Sequence, residues 1–293
     1  MAKIGDVSPL IFNPEGKNPF GLECCYEQTF HDTDAILLQV VATSGETVTA
    51  TLNDKVKKTS SPIQLTTYEQ NSNIIIHYAS LTGMDDSLYT VSVEGIGESE
   101  PFRVDSSDKL LERTILFRYS NRDNNSFDNI FWIGDEQQFF YFRIEGGFKP
   151  EGYMPQVSNE QYRNQRQEII ELYSMPYDQW TLTLGDNVGF PVWYIRLVNR
   201  ILSLSHVEIG GKLYVRSDAS LPDKTQMMED GQLFQATVLL EPKENDVAGM
   251  GGMPEPGGGQ SVVGFVIENA KDGQMLQYDG DKSAFVNVTT VEV

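Results

Sequence analysis

Between residues 22 and 104, apolar and polar positions alternate in short runs at 22–30, 35–42, 47–52, 63–68, 74–78, 88–93 and 101–104. A period of two puts alternate side chains on one face of a strand. In the first run Leu22, Cys24, Tyr26 and Phe30 share such a face. The runs recur at roughly the 8–12-residue spacing of a two-sheet sandwich. Thr and Val dominate them, as a pleated, half-buried surface prefers. From residue 106 the pattern changes. Residues 114–119 alternate, with Ile115, Phe117 and Tyr119 on one side, and aromatic strands at 129–133 and 138–144 flank a turn at Gly134-Asp135. Ser158-Asn-Glu-Gln161 then has the form of a capping box. Tyr162, Ile169, Ile170 and Tyr173 follow at helical spacing up to Pro176, which predicts an amphipathic helix over 159–173. A second helix is predicted from Pro191, a favoured first-turn residue. Its apolar stripe is Val192, Ile195, Val198 and Leu202, with Arg196, Asn199, Arg200 and Ser203 opposite. Gly210-Gly211 between 207–209 and 212–215 marks a hairpin. Residues 233–240 alternate, with Phe234, Ala236, Val238 and Leu240 inward.

These patterns predict a mainly β chain with an α+β middle module. Five parts follow: an N-terminal arm at 1–20, a β-sandwich at 21–105, an α+β assembly domain at 106–246, a Gly/Pro/Met linker at 247–260 and a C-terminal β docking element at 261–293. The arm holds Pro9, Pro14, Gly16 and Pro19 and has no helical period; such arms order on a neighbouring subunit. The C-terminal element falls below the ~40 residues at which a chain needs outside help to fold. Its apolar anchors Leu276, Tyr278 and Phe285 are therefore expected to pair with a partner's exposed strand. Residues 85–93, Asp-Asp-Ser-Leu-Tyr-Thr-Val-Ser-Val, resemble the tyrosine corner of immunoglobulin-like sandwiches, with Tyr89 opening a strand. There is no Cys…Trp…Cys pattern, so an antibody-type domain is not expected.

Charge narrows the partners. Acidic residues number 42 and basic residues 22, for a net charge of −20. Like charges repel, which argues against nonspecific binding to nucleic acid or anionic membrane. No apolar run reaches the ~20 residues of a membrane span, and no basic stretch followed by an apolar one marks a secretory signal. Nine of the ten arginines follow residue 105. Arginine suits desolvated interfaces, so the middle zone is the candidate for self-association, with Arg196 and Arg200 one helical turn apart.

Chemistry is sparse. No G-x-S-x-G elbow, Walker loop, H-E-x-x-H or C-x-x-C is present. Cys24 and Cys25 are adjacent and read as two reduced thiols, since neighbours bridge only under strain. His31, His77 and His206 stand apart from any partner at metal-ligand spacing and read as structural. Asp279-Gly-Asp281 lacks the remaining ligands of a calcium loop. Trp132 and Trp193 lie in apolar stretches and read as core, while the role of Trp180 stays open. No catalytic residue, metal or cofactor is expected.

Residues 271–288, Lys-Asp-Gly-Gln-Met-Leu-Gln-Tyr-Asp-Gly-Asp-Lys-Ser-Ala-Phe-Val-Asn-Val, resemble a segment of tailed-bacteriophage structural proteins. The match lies in Asp272, Gly273, Gln274, Leu276, Tyr278 and Asp279, followed by Val286-Asn287, with Phe285 where Trp is usual. The arm exit Pro-Phe-Gly-Leu-Glu (19–23), the sandwich, and Leu-Gly-Asp-Asn-Val-Gly-Phe-Pro-Val-Trp (184–193) are similar, more weakly, to virion proteins of phages infecting Bacteroidales gut bacteria, the crAss-like group included. The resemblance implies a tail, neck-ring or fibre-attachment protein. It would work in the virion as a symmetric homo-oligomer beside other virion proteins, after assembly in the host bacterial cytoplasm. The alternatives are an adhesin that binds a host-surface glycan, which would show an exposed aromatic platform, or a glycan-degrading enzyme, which would show a cleft with two facing carboxylates.

Overall fold

A computed structural model describes residues 2–12, 26–124, 127–186, 189–217, 223–227, 233–243, 274–279 and 284–289. Cys24, Cys25 and the linker 247–260 lie outside them. The chain forms two compact units, Met1–Asn245 and Asp246–Val293, and it is mainly β.

The first half of the larger unit holds β1 (Gln28–His31), β2 (Ile36–Thr43), β3 (Ala50–Asp54), β4 (Thr59–Ile63), β5 (Thr66–Asn71), β6 (Ile74–Leu81), β7 (Ser87–Val93), β8 (Gly97–Glu98) and β9 (Phe102–Asp105). They make two sheets, β1-β9-β7-β3-β4 and β2-β6-β5, with β8 hairpinned onto β7. Pairing is antiparallel except for β1 with β9, which run parallel. Ile36, Leu38, Val40 and Leu81 of one sheet share a buried cluster with Phe30, Tyr89, Val91, Val93, Phe102 and Val104 of the other. The alternation read from the sequence is thus the inward face of a two-layer core. The run at 63–68 is not one strand. The chain breaks after Ile63 and resumes at Thr66, so β4 and β5 join different sheets. At the start of β7, the Tyr89 hydroxyl donates to the Asp85 carbonyl at 3.0 Å.

The second half holds α1 (Asp108–Arg113), β10 (Thr114–Ser120), β11 (Trp132–Ile133), β12 (Glu136–Gln137), β13 (Phe140–Arg163), β14 (Ile169–Leu184), β15 (Phe190–Pro191), α2 (Val192–Ile201), β16 (His206–Ile209), β17 (Lys212–Arg216), β18 (Asp223–Gln226) and β19 (Leu233–Pro242). Strands β14-β13-β10-β16-β17-β19 are neighbours in that order, and β14 also pairs with β19, so the sheet closes into a six-stranded antiparallel barrel. Closure removes free edges. The barrel wall turns Phe117, Tyr119, Phe140, Phe142, Leu182 and Val238 into one large core. Strand β19 alternates as expected, with Phe234, Ala236, Val238 and Leu240 buried. The hairpin β16–β17 turns on Gly210 and Gly211 at φ 57° and 84°, a left-handed pair that glycine adopts without a Cβ penalty. Helix α2 also forms where expected, and the Tyr194 ring stacks on Phe142 at 5.8 Å.

Two expectations fail. The predicted helix over 159–173 does not form; those residues belong to β13, β14 and the turn between them. The expectation that 1–20 lacks a core of its own fails for residues 2–12. Val7, Leu10, Ile11 and Phe12 are buried, and Lys3 exchanges both backbone hydrogen bonds with Val41 at 2.9 Å. Val7 N donates to Asn129 at 3.0 Å, and the Tyr119 hydroxyl donates to the Val7 carbonyl at 2.6 Å. The segment bonds to both halves, which explains its ordering without a neighbour.

The halves are locked together elsewhere too. Arg143 of β13 forks onto Asp34, between β1 and β2, at 2.6 and 2.8 Å, and both side chains are almost fully buried. The Gln39 amide of β2 takes the Ile130 N–H and donates to the Ile130 carbonyl, each at 2.8 Å, as a neighbouring strand would. In the smaller unit, β20 (Gln274–Asp279) and β21 (Ala284–Thr289) form an antiparallel hairpin that sets Tyr278 opposite Phe285.

Candidate interaction surface

Strands β13 and β14 run on past the barrel as a two-stranded arm. They pair from Tyr153 opposite Trp180 to Arg163 opposite Ile169, and ten residue steps at about 3.4 Å make the arm ~34 Å long. The foot is braced by aromatic rings. Phe148 stacks on Tyr214 at 4.9 Å and meets Trp180 edge-on at 6.1 Å, and Trp180 lies 4.9 Å from Tyr153. Gly146 marks the barrel end: a Cβ there would sit 2.3 Å from the Thr183 carbonyl oxygen, and its φ of +132° is one that other residues rarely adopt.

The turn explains why a ribbon forms instead of a helix. Asn164 Oδ1 accepts the N–H groups of Arg166 and Glu168 at 2.9 and 3.0 Å, an Asx-type turn. Asn164 N and O close the ladder onto Glu168 and Gln167 at 3.0 Å, and Gln167 takes a left-handed φ of 64°. Ile169, Ile170, Tyr173, Tyr177 and Trp180 are β-prone by branching or aromaticity. The Ser158 hydroxyl caps no helix and sits 3.4 Å from the Tyr173 hydroxyl.

Of eleven exposed large hydrophobic residues among those described, eight lie on this arm: Tyr153, Val157, Tyr162, Ile169, Ile170, Leu172, Tyr173 and Met175. Register divides the arm into two faces, and apolar and polar side chains mix on both. One carries Tyr153, Trp180, Pro155, Asp178, Val157, Pro176, Asn159, Ser174, Gln161, Glu171, Arg163 and Ile169. The other carries Met154, Gln179, Gln156, Tyr177, Ser158, Met175, Glu160, Tyr173, Tyr162 and Ile170. Leu172 is the extra residue where the register shifts between Glu160 and Gln161. Each strand also has a proline, Pro155 opposite Asp178 and Pro176 opposite Val157. Proline lacks the N–H that an added strand would need, so edge-on strand addition is hindered on both sides and the faces are what remains.

The residues singled out from the sequence fall elsewhere. Arg196 is exposed on α2. Arg200 is half-buried and ion-paired to Asp6 at 3.1 Å, with Phe127 5.8 Å away, so an intrachain contact occupies it. Leu276, Tyr278 and Phe285 belong to the hairpin of the smaller unit. Trp193 is core and Trp132 is half-buried, bonded to the Asn121 carbonyl at 2.9 Å. His31 and His77 are buried and His206 is half-buried, its ring 5.1 Å from Phe139. Among the described residues no three His, Cys, Asp or Glu come together as a metal site, and no helix is long and apolar enough to cross a membrane. A shallow depression beside β3 and β7 holds Asp54, Lys57 and Asp85. Both carboxylates are committed there: Asp85 to Lys57 at 2.6 Å, and Asp54 to the N–H groups of Val56 and Lys57 and the Ser87 hydroxyl. The sequence signal for the arm was available in Asn164 and in the β-prone run after it, but the capping-box pattern obscured it.

No protein-family model matches the chain, and no curated protein matches it. Among solved structures, a pullulanase from Anoxybacillus sp. LM18-11 complexed with maltotriose aligns at 10% identity with a TM-score of 0.19. The alignment covers 55% of this chain and 24% of that one. A likeness of that size carries no weight for fold or function.

Proposed function

We propose that the chain is a non-enzymatic structural component of a bacteriophage particle, a tail, neck-ring or fibre-attachment protein that works as a symmetric oligomer with itself and with other virion proteins. The observation that carries this reading is the arm. It concentrates exposed apolar surface on a ribbon that reaches away from a closed core, and a two-stranded ribbon is marginal in water without a partner. The sequence resemblance of the C-terminal element to tailed-phage structural proteins supplies the particle. The N-terminal half is read as an immunoglobulin-like sandwich. The strand order β9-β7-β3 facing β2-β6-β5 and the Tyr89-to-Asp85 hydrogen bond support that assignment. Such modules present edges and loops for assembly and need no catalytic pocket. The test is immunoelectron microscopy and mass spectrometry of purified particles. The chain should be a multi-copy particle protein with labelling at one fixed position. Its absence from purified particles, or release only as a soluble product of infection, overturns the reading.

A further inference from the structure

Beyond any assembly role, the geometry points to a binding site for a neutral glycan at the foot of the arm, where Tyr153 and Trp180 offer aromatic faces to a sugar ring and Asp178 offers a carboxylate to its hydroxyls.

A bulge builds the site. Phe148 lies opposite Leu182 and Tyr153 opposite Trp180, so β13 takes five steps where β14 takes two, and three residues are extra. Successive side chains alternate across a strand. An odd excess therefore moves Tyr153 from the outer face of the wall to the face that carries Phe148, Leu182 and Trp180, the face turned to the barrel core. Gly152 permits the detour: it is buried, and a Cβ there would lie 2.9 Å from the Thr181 carbonyl oxygen. Bulges at barrel rims re-aim side chains in this way.

The bulge gathers a shelf at the barrel rim. Phe148 and Trp180 pack on the core yet stay part-exposed, and Tyr153 is 42% exposed. The Tyr153 and Trp180 rings lie 4.9 Å apart with their planes at 47°. The Tyr153 hydroxyl donates to Asp178 Oδ1 at 2.8 Å, which fixes the ring on the shelf. Asp178 is exposed. Among the described residues no cation pairs with it, so its second oxygen is open to a donor. Arg216, across β19 at the level of Trp180, donates instead to the Asn199 carbonyl at 2.7 Å. Lys149 and Glu151 of the bulge offset one another in charge.

These surroundings select the ligand. An anion meets the Asp178 carboxylate and a chain that carries −20. A peptide added as a further strand meets Pro155 and Pro176, which supply no N–H. A neutral sugar has what the shelf takes: an apolar C–H face for the rings and hydroxyls that donate to a carboxylate. Apolar lining with a few placed polar groups, at the mouth of a barrel, is how small-ligand sites are made. One or two sugar units make few contacts, so a single site is expected to bind on the order of 1 mM, to be raised in an oligomer by repeated sites.

Saturation-transfer NMR and tryptophan fluorescence of the full chain read the site directly, with cellotriose, mannotriose, xylotriose and triacetylchitotriose each titrated to ~20 mM, well above that constant. At least one should bind. Tyr153→Ala and Asp178→Ala should each raise its dissociation constant about fivefold or more, while Tyr173→Ala on the opposite face should leave it unchanged. Trp180→Phe keeps an aromatic face, so it should retain the NMR signal and lose the fluorescence change. Tyr153 and Asp178 are exposed, and an unchanged thermal midpoint confirms that their variants are folded. No response to any of the four sugars overturns the inference, as does binding that survives Tyr153→Ala combined with Asp178→Ala. A shelf that ignores sugars but joins two copies, seen in sedimentation velocity as a dimer that Tyr153→Ala dissociates, overturns it too. The particle role keeps its own test: a chain present in particles without sugar binding loses only the site, and one that binds sugar yet is missing from particles loses only the role.

Discussion

Arg143 and Asp34 are the pair on which the two halves of the larger unit depend most at the scale of single side chains. Asp34 Oδ2 accepts from both Arg143 Nε and the His31 N–H, and Arg143 also donates to Thr114 at 3.0 Å. Desolvating two ions is costly, and here the geometry returns much of that cost through charge-assisted bonds. Removing one partner strands the other. Asp34→Ala should cost about 3–5 kcal/mol in urea unfolding of the full chain. The double replacement Asp34→Leu with Arg143→Met should cost less than the sum of the single changes; additive losses would show that the two side chains act independently. A second residue-scale effect is titratable. Lys55, at 2.6 Å, and the Thr90 hydroxyl hold the Glu98 carboxyl below its ordinary value of 4.5. The folded form therefore binds this proton less readily than the unfolded chain. Its contribution is complete above pH 4.5 and is lost as pH falls through the depressed value. Below pH 4.5 the parent should lose more stability than Glu98→Gln; parallel pH profiles would refute this.

The arm shows at element scale where sequence pattern gives way to local backbone chemistry. Alternation was legible wherever one face is buried: β7, β10 and β19 appear at their expected places with the expected residues inward. Residues 159–173 have no buried face, so periodicity had nothing to report, and Tyr162, Ile169, Ile170 and Tyr173 matched a helical spacing by coincidence. What decides the segment is the Asn164 turn, whose five bonds are local. Gln167 adopts φ 64° there, which costs roughly 1–2 kcal/mol for a residue with a Cβ. Gln167→Gly should therefore slow amide exchange along the arm, and Asn164→Ala should speed it. No change in either variant would mean that the turn does not set the ribbon. At the other end, Gly146→Ala should lower the thermal midpoint, because its Cβ meets the Thr183 carbonyl head-on.

For the whole molecule, barrel closure was beyond the reach of the sequence. The β14–β19 pairing joins residues 180–184 to 236–240, and nothing in either run names the other. The N-terminal segment was misread for the same reason. Its proline and glycine content is real, but its partners lie far along the chain: Val41 bonds Lys3, and Tyr119 and Asn129 bond Val7 across separations of 112 and 122. Deleting residues 2–12 should lower the thermal midpoint of the body sharply by uncovering Tyr119 and the Asn129 amide. A midpoint unchanged by that deletion would restore the picture of an arm without a home.

Threading the first residues between both halves also fixes an order of events during synthesis. Arg200 bonds the Asp6 carbonyl across 194 residues, and at ~5–20 residues per second the ribosome needs roughly 10–40 s to supply it. Val7 and Ile11, which belong to the barrel core, are made long before Tyr119, Asn129 and the barrel strands. The nascent chain thus carries two apolar side chains whose core is completed only by later-made strands, and a slow messenger or a stalled ribosome lengthens their exposure.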